Sequence, residues 1–127
     1  MKNVFIGIDH PALAADDVVK LTQWYCDVLG YEVFAKSERP VFIIKAPDGT
    51  YIEMMPKDET TRPERTMRTP GWSHLALRVS DIDAAMAELD KFGVAWMGAD
   101  FDALGGGRIR NMTDPEGNVI QIIQRPE

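Results

Sequence analysis

The chain begins with a stretch in which apolar and polar positions alternate. The residues on one side of this alternation are Ile6, Ile8, His10, Ala12 and Ala14. A period of two predicts a β-strand. Because Pro11 has no N–H to give to a neighbouring strand, we expect this strand to lie at a sheet edge.

A helical period follows the first strand. Asp16 or Asp17 is placed to cap a helix that ends at Gly30. Its apolar stripe consists of Val18, Leu21, Tyr25, Val28 and Leu29. Three further strands are predicted, at about residues 31–36, 41–46 and 51–55. A Pro-Asp-Gly turn joins the last two strands as a hairpin.

The second half of the chain repeats this order of elements. His74, Ala76 and Arg78 share one face of a predicted strand, and Asp81 caps a predicted helix that Gly93 ends. The apolar stripe of this helix consists of Ile82, Ala85, Met86, Leu89 and Phe92. Three strands are again predicted, at about residues 94–97, 108–113 and 118–124.

Two motifs recur between the halves. Asp9-His10-Pro11-Ala12-Leu13 matches Ser73-His74-Leu75-Ala76-Leu77, and Pro47-Asp48-Gly49-Thr50-Tyr51-Ile52-Glu53 matches Pro115-Glu116-Gly117-Asn118-Val119-Ile120-Gln121. His74 follows His10 by 64 residues, and Gln121 follows Glu53 by 68. The only two histidines therefore occupy equivalent places in the two halves, as do Glu53 and Gln121. We therefore predict an α+β fold of two β-α-β-β-β modules within a single domain, 1–127. Module 1 covers about 1–55, a polar, proline-rich linker about 56–71, and module 2 about 72–127.

Length and charge narrow the classes of function. A chain of 127 residues can bury about two thirds of its unfolded surface, so folding does not require a metal. A net charge of −6 argues against a nucleic-acid or anionic-membrane surface, and we expect a small-molecule substrate instead. The amino-terminal residues do not resemble a signal-peptide core, no apolar run approaches a membrane span, and Cys26 has no internal partner. We expect a cytoplasmic protein.

The last strand of each half carries a polar residue between apolar ones. If the helices cover the apolar faces, alternation puts Glu53 and Gln121 on the same face as the histidines. An unpaired buried carboxylate is costly, so Glu53 is expected to be paired, metal-bound or protonated. The alternative is that Glu53 is solvated at a strand edge and that Gln121 is an ordinary outward polar residue.

Together, His10, Glu53, His74 and Gln121 form a candidate metal site. Two imidazoles and one carboxylate suit Zn, Ni, Co, Fe or Mn, and the amide oxygen of Gln121 is a weaker fourth ligand. With a single carboxylate, a divalent site keeps a formal charge of about +1, which favours a substrate oxygen that becomes an oxyanion.

The stretches 8–10, 24–31 and 113–120 resemble the vicinal oxygen chelate superfamily. This superfamily includes glyoxalase I, methylmalonyl-CoA epimerase, extradiol dioxygenases, and the bleomycin and fosfomycin resistance proteins. The resemblance covers almost the whole chain. It implies two modules whose sheets curve into an open, metal-centred β-barrel-like cup, commonly in a homodimer, and it implies the fold more firmly than any one reaction.

Resemblance to glyoxalase I and the epimerases implies a metal-dependent lyase or isomerase that abstracts a proton next to a metal-polarised carbonyl. In glyoxalase I a Glu on the closing strand is implicated as the base. Gln121 stands there in this chain and cannot accept a proton, so Glu53 is the expected base. Two alternatives stay open: an extradiol-type dioxygenase, and a non-catalytic, antibiotic-binding type of protein, although such proteins generally lack the full ligand set.

Two further residues are candidates for binding substrate. Arg78 lies four residues after His74, on the same strand face, and is expected to reach an anionic group; the alternative is a surface ion pair. Trp72 shares this face and is expected to line the cup. The glycine run at 105–107 predicts a flexible loop. The substrate, the metal, and whether each site is built by one chain or two stay open.

Overall fold

The computed structural model describes residues 4–127. Within them the chain divides into two compact units, with the boundary between Thr60 and Thr61. Residues 1–3, which entered the signal-peptide argument, lie outside the described residues. No helix in the described part of the chain has the length and apolar character needed to cross a membrane.

Unit 1 is a four-stranded sheet covered by one helix. Its elements are β1 (Ala12–Ala15), α1 (Val18–Leu29), β2 (Glu32–Lys36), β3 (Phe42–Lys45) and β4 (Tyr51–Pro56). The strand order is β1-β4-β3-β2, with β1 and β4 parallel and the other neighbours antiparallel. A helical crossover is the usual way to return the chain to a parallel partner, and α1 provides part of it.

Local chemistry sets the limits of α1. Asp17, rather than Asp16, is the N-cap, and its side chain accepts a hydrogen bond from the Lys20 N–H at 3.0 Å. Gly30 ends the helix at φ 77°, a left-handed conformation that favours glycine. The apolar side of α1 packs on β1, β3 and β4, where Ile52 and Met54 are almost fully buried.

Unit 2 repeats the plan with one additional short strand. Its elements are β5 (Leu75–Arg78), α2 (Ile82–Lys91), β6 (Ala95–Trp96), β7 (Phe101–Asp102), β8 (Arg108–Thr113) and β9 (Val119–Gln124). The strand order is β5-β9-β8-β6, and β7 also pairs with β8. Asp81 caps α2 as predicted, by accepting from the Ala84 N–H at 3.0 Å. The α+β class and the β-α-β-β-β plan are confirmed, with β7 as one further short strand in unit 2.

The predicted first strand is shorter than its sequence pattern. No strand is assigned to residues 4–11, and Ile6 and Ile8 are fully exposed at 102% and 92%. The reason is the register with β4. Ala12 lies opposite Glu53, so a parallel continuation would place Ile8 opposite Gly49, within the turn before β4. The alternating pattern therefore runs past the end of the strand that it would pair with.

The second part of the predicted linker, residues 61–71, is held against unit 2. Arg62 donates to the backbone oxygen of Glu116 and to Oδ1 of Asn118, each at 2.6 Å. Further along, Nδ2 of Asn111 lies 3.9 Å from the sulfur of Met67. These contacts attach the segment to the β8–β9 hairpin. The single domain and the limits of its two modules remain predictions.

The glycine run forms a tight turn between β7 and β8 rather than a free loop. The Ala103 N–H donates to the Gly107 oxygen at 2.9 Å, and Arg125 donates to the backbone oxygens of Leu104 and Gly106. Gly107 has φ +102°, and a Cβ there would lie 2.0 Å from the backbone oxygen of Gln124. The predicted loop is thus a hydrogen-bonded turn that packs against the end of β9, while its flexibility stays a prediction.

We predict that Gly107→Ala destabilises the protein by about 2 kcal/mol or more, because it adds both a left-handed strain and a backbone clash. Urea unfolding measures the effect. Gly98→Ala is the matched control, since Gly98 also has positive φ, +128°, but open space around its Cβ position. Equal losses for the two variants would contradict the packing argument.

Candidate functional site

In unit 1, the pairing of β1 with β4 brings His10 to Glu53. The Glu53 N–H donates to the Pro11 backbone oxygen at 3.0 Å, which joins the residue after His10 to β4. His10 Nε2 then lies 3.0 Å from Glu53 Oε2, with the two side chains 34% and 27% exposed. Because β4 is an interior strand, Glu53 is not solvated at a sheet edge.

Alternation along β4 explains why this carboxylate is available. Ile52 and Met54, its neighbours, are 3% and 0% exposed on the helix side of the sheet. Glu53 therefore projects from the other side, which we call the open face. His10 and Glu53 form half-site 1 on this face.

Unit 2 builds an equivalent arrangement, which we call half-site 2. Ala76 pairs with Gln121 as Ala12 pairs with Glu53, and each histidine precedes its alanine by two residues. His74 and Gln121 thus occupy the register positions of His10 and Glu53. Gln121 is only 9% exposed, so it is not an ordinary outward polar residue.

Each histidine has a contact at Nδ1 that the sequence argument missed. His10 Nδ1 lies 2.7 Å from Asp9 Oδ2, and His74 Nδ1 lies 2.8 Å from Ser73 Oγ. Both partners stand immediately before a histidine in the repeated motif, so their equivalent positions were a usable signal. In metal sites such partners of the second ring nitrogen orient the imidazole. Here they leave Nε2 of each ring for another partner, which for His10 is Oε2 of Glu53.

The two carboxylates beside His10 change its protonation. Hydrogen bonding to Asp9, and then to Glu53, raises the pKa of His10 above its ordinary value of 6.5. In the protonated ring both nitrogens donate, and each faces one carboxylate oxygen. Protonation of His10 therefore makes the cluster an ion-paired group.

The predicted substrate-binding residues are on or near half-site 2. Arg78 lies on β5, opposite Ile123 of β9, and is exposed. It takes part in none of the ion pairs formed among residues 4–127. Trp72 precedes β5 and is 97% exposed, while its backbone oxygen accepts from Arg65 at 3.1 Å. Arg78 is therefore available to an anion.

The donor atoms fit a divalent metal, although each half-site supplies only two of them. Across residues 4–127 no three His, Cys, Asp or Glu side chains gather as a metal-binding group. The 3.0 Å separation of His10 Nε2 and Glu53 Oε2 is nevertheless favourable. Two ligand atoms about 2.1 Å from an ion and at right angles to each other lie about 3 Å apart.

The fold and the repeated half-sites define the class of protein. The chain belongs to the Glyoxalase/Bleomycin resistance protein/Dioxygenase superfamily, whose family model matches residues 7–122, which confirms the resemblance seen in the sequence. The Escherichia coli K12 protein YaeR is 30% identical over 127 residues, covering 93% of this chain and 95% of YaeR.

Two solved structures show the same fold. Lactoylglutathione lyase from Agrobacterium tumefaciens superposes with a TM-score of 0.73 at 19% identity, covering 96% of each chain. A variant of the fosfomycin resistance protein FosX from Listeria monocytogenes gives a TM-score of 0.74 at 17% identity, covering 97% of this chain and 93% of FosX. That structure contains Mn(II) and 1S,2S-dihydroxypropylphosphonic acid.

We predict that Asp9→Asn and Glu53→Gln each lower the pKa of His10, with the larger change for Asp9→Asn, because each removes a negative acceptor. NMR titration of the histidine ring protons measures this. Ser73→Ala, at the place equivalent to Asp9, is the control and should leave the pKa of His10 unchanged.

The same shift has a consequence for stability. Since the pKa of His10 is raised in the folded protein, its stabilising effect is fully present below about 6.5 and is lost as pH rises through the folded value. A wild-type pKa of His10 at or below 6.5 would contradict this account.

Proposed function

We propose that this protein is a metal-dependent, glyoxalase- or epimerase-like lyase or isomerase that acts on a small, oxygen-chelating substrate. The observation that carries the proposal is the His10–Glu53 pair, at 3.0 Å, together with its register equivalent, His74 and Gln121. Membership of the superfamily supports it, since the fold occurs in a lyase and in a fosfomycin resistance protein.

In this proposal His10, Glu53, His74 and Gln121 hold one divalent ion, Zn, Ni, Co, Fe or Mn. The bound ion would supply Lewis acidity that polarises a substrate carbonyl and lowers the pKa of the neighbouring C–H. Two neutral imidazoles, one carboxylate and one amide leave the site cationic, which favours substrate oxygens that gain negative charge. His10 must release its Nε2 proton before it can act as a ligand.

Glu53 is the proposed catalytic base. It is the one carboxylate among the four residues, and Gln121 at the equivalent place cannot take a proton. Its Oε2 faces His10, whereas Oε1 takes part in none of the hydrogen bonds found among residues 4–127. One oxygen can therefore serve as a ligand while the other accepts a proton from substrate.

Arg78 and Trp72 are the proposed substrate contacts. Arg78 carries an exposed guanidinium on the strand that follows His74, and a guanidinium binds carboxylates and phosphonates through paired hydrogen bonds. The FosX structure holds a divalent metal together with a small phosphonic acid, which supports an anionic substrate. Trp72 is exposed and offers a broad apolar surface.

We further propose that the protein is a cytoplasmic homodimer. Val4, Phe5, Ile6 and Ile8 are between 81% and 102% exposed, and a consecutive apolar stretch of this kind suits burial against another chain. In such a dimer, each metal would be bound either by both half-sites of one chain or by one half-site from each chain.

We predict that Glu53→Gln lowers kcat by about 10²- to 10⁴-fold while metal is still bound, because an amide oxygen keeps a ligand but cannot accept the proton. Steady-state rates on hemithioacetals and 2-acyl thioesters, with metal analysis of each protein, measure this. Glu88→Gln on α2, which removes a carboxylate from an exposed ion pair with Lys91, is the matched control with unchanged rate.

Three outcomes would overturn this function. A wild type that stays metal-free after divalent metals are added contradicts the metal site. Oxygen uptake with Fe(II) and a catechol, in place of isomerisation, identifies a dioxygenase. Ligand binding that is insensitive both to a chelator and to His74→Ala identifies a sequestering protein.

We predict that Arg78→Ala raises KM for an anionic substrate by about tenfold with little change in kcat, because a charge-assisted hydrogen bond to a remote group is lost. The KM of an uncharged analogue should not change. Lys20→Ala, which removes an exposed positive charge from α1, is the control. Equal effects on charged and uncharged substrates would rule out anion recognition.

A further inference from the structure

Asn111 lies directly opposite Gln121 in the sheet of unit 2. The two residues are Cα partners in the antiparallel ladder between β8 and β9. Directly opposed residues point to the same side of a sheet, with Cβ atoms about 5 Å apart. The carboxamides of Asn111 and Gln121 are therefore neighbours.

The Asn111 side chain has an unmatched acceptor. Its Oδ1 is buried without a hydrogen-bond partner among the described residues, and its Nδ2 lies 3.9 Å from the sulfur of Met67. Turning the amide over would only exchange the two atoms, leaving the nitrogen unmatched instead. Because sulfur accepts but does not donate, Met67 favours the orientation in which Nδ2 faces it and Oδ1 stays available.

The segment that carries Met67 is held by two arginines. Arg62, five residues earlier, is bound to the β8–β9 turn through Glu116 and Asn118. Arg65, two residues before Met67, donates to the backbone oxygens of Thr69 and Pro70, which follow Met67. These hydrogen bonds close the segment into a turn around Met67. The orientation of the Asn111 amide is thus maintained by a segment that belongs to unit 2.

The strand partners of Glu53 and Gln121 differ between the two repeats, and this difference suggests a role for the Asn111 amide. The partner of Glu53 in the β3–β4 ladder is Ile43, and Asn111 follows Ile43 by 68 residues, as Gln121 follows Glu53. The carboxylate of Glu53 thus lies opposite the apolar Ile43, whereas the carboxamide of Gln121 lies opposite the carboxamide of Asn111. A carboxylate has only acceptor atoms, whereas a carboxamide that binds through its oxygen keeps two N–H donors that need an acceptor.

We propose that Asn111 is a positioning residue for Gln121, an inference that rests on the metal-binding function proposed above. When Gln121 binds the metal through Oε1, its Nε2 donates to Asn111 Oδ1. This hydrogen bond selects one of the two orientations of the Gln121 amide and satisfies a donor on a residue that is 9% exposed. In the metal-free protein the Asn111 oxygen remains unmatched, which costs stability.

The test is Asn111→Leu, which keeps the size of the side chain but removes both polar atoms. We expect Zn(II) affinity, measured by calorimetry, to fall about tenfold or more. Loss of a residue that hydrogen-bonds a metal ligand typically lowers metal affinity by at least about this factor. We expect the Tm of the metal-free protein to stay the same or rise, because a buried unmatched acceptor is removed. A purely structural role would instead lower both quantities.

NMR of the Gln121 side-chain amide gives a readout that does not depend on activity. Zn(II) should shift this signal in the wild type and in Asn111→Asp, which keeps an acceptor oxygen, but should shift it much less in Asn111→Leu. Ile43→Leu, at the equivalent place in unit 1, is the matched control and should leave both Zn(II) affinity and the Gln121 signal unchanged. If Asn111→Leu does not fold, Asn111→Ala replaces it in the same comparison.

The outcomes separate the two proposals. A wild type that binds no divalent metal overturns the proposed function and this inference with it. A wild type that binds Zn(II), with Asn111→Leu equal to it in affinity and in the Gln121 shift, overturns the inference alone and leaves the four-residue metal site intact.

Discussion

The parallel pairing between the first and last strands of each unit is the constraint on which the candidate site depends. It brings His10 to Glu53 although 43 residues separate them, and it gives His74 and Gln121 the same relative places. Two parallel strands cannot be joined by a tight turn, so the chain needs a long crossover between them, which in each unit contains a helix and further strands. The crossover helix then covers one face of the sheet and leaves the other face to the polar residues.

The two half-sites share this geometry but differ in charge. Half-site 1 contains a carboxylate whose strand partner is Ile43, and its histidine is held between two acidic side chains. Half-site 2 contains no carboxylate, because Gln121 stands in the place of Glu53 and Ser73 in the place of Asp9. The acid–base chemistry that we propose therefore falls to the first half, while the second half would offer neutral ligands and the guanidinium of Arg78.

Two features that sequence patterns described as loosely structured are in fact attached to unit 2. The segment 61–71 is bound to the β8–β9 hairpin by Arg62, and the turn at Gly107 is packed against the backbone of Gln124. Arginine side chains that reach backbone oxygens across a turn leave no periodic signal, so hydropathy patterns cannot reveal such contacts. Only spatial proximity shows which residues of a polar segment are anchors.

The sequence by itself determined the repeated element order, the N-cap of α2, the glycine that ends α1 and the four residues of the candidate site, because caps, stripes and alternating strands are local patterns. It also indicated that Glu53 and Gln121 share the histidine face. Tertiary structure alone decided where β1 begins, that β7 exists, that Asp9 and Ser73 contact the histidines, and that Asn111 lies opposite Gln121. These features depend on which strand lies opposite which residue, and that register is set by pairing between distant segments of the chain.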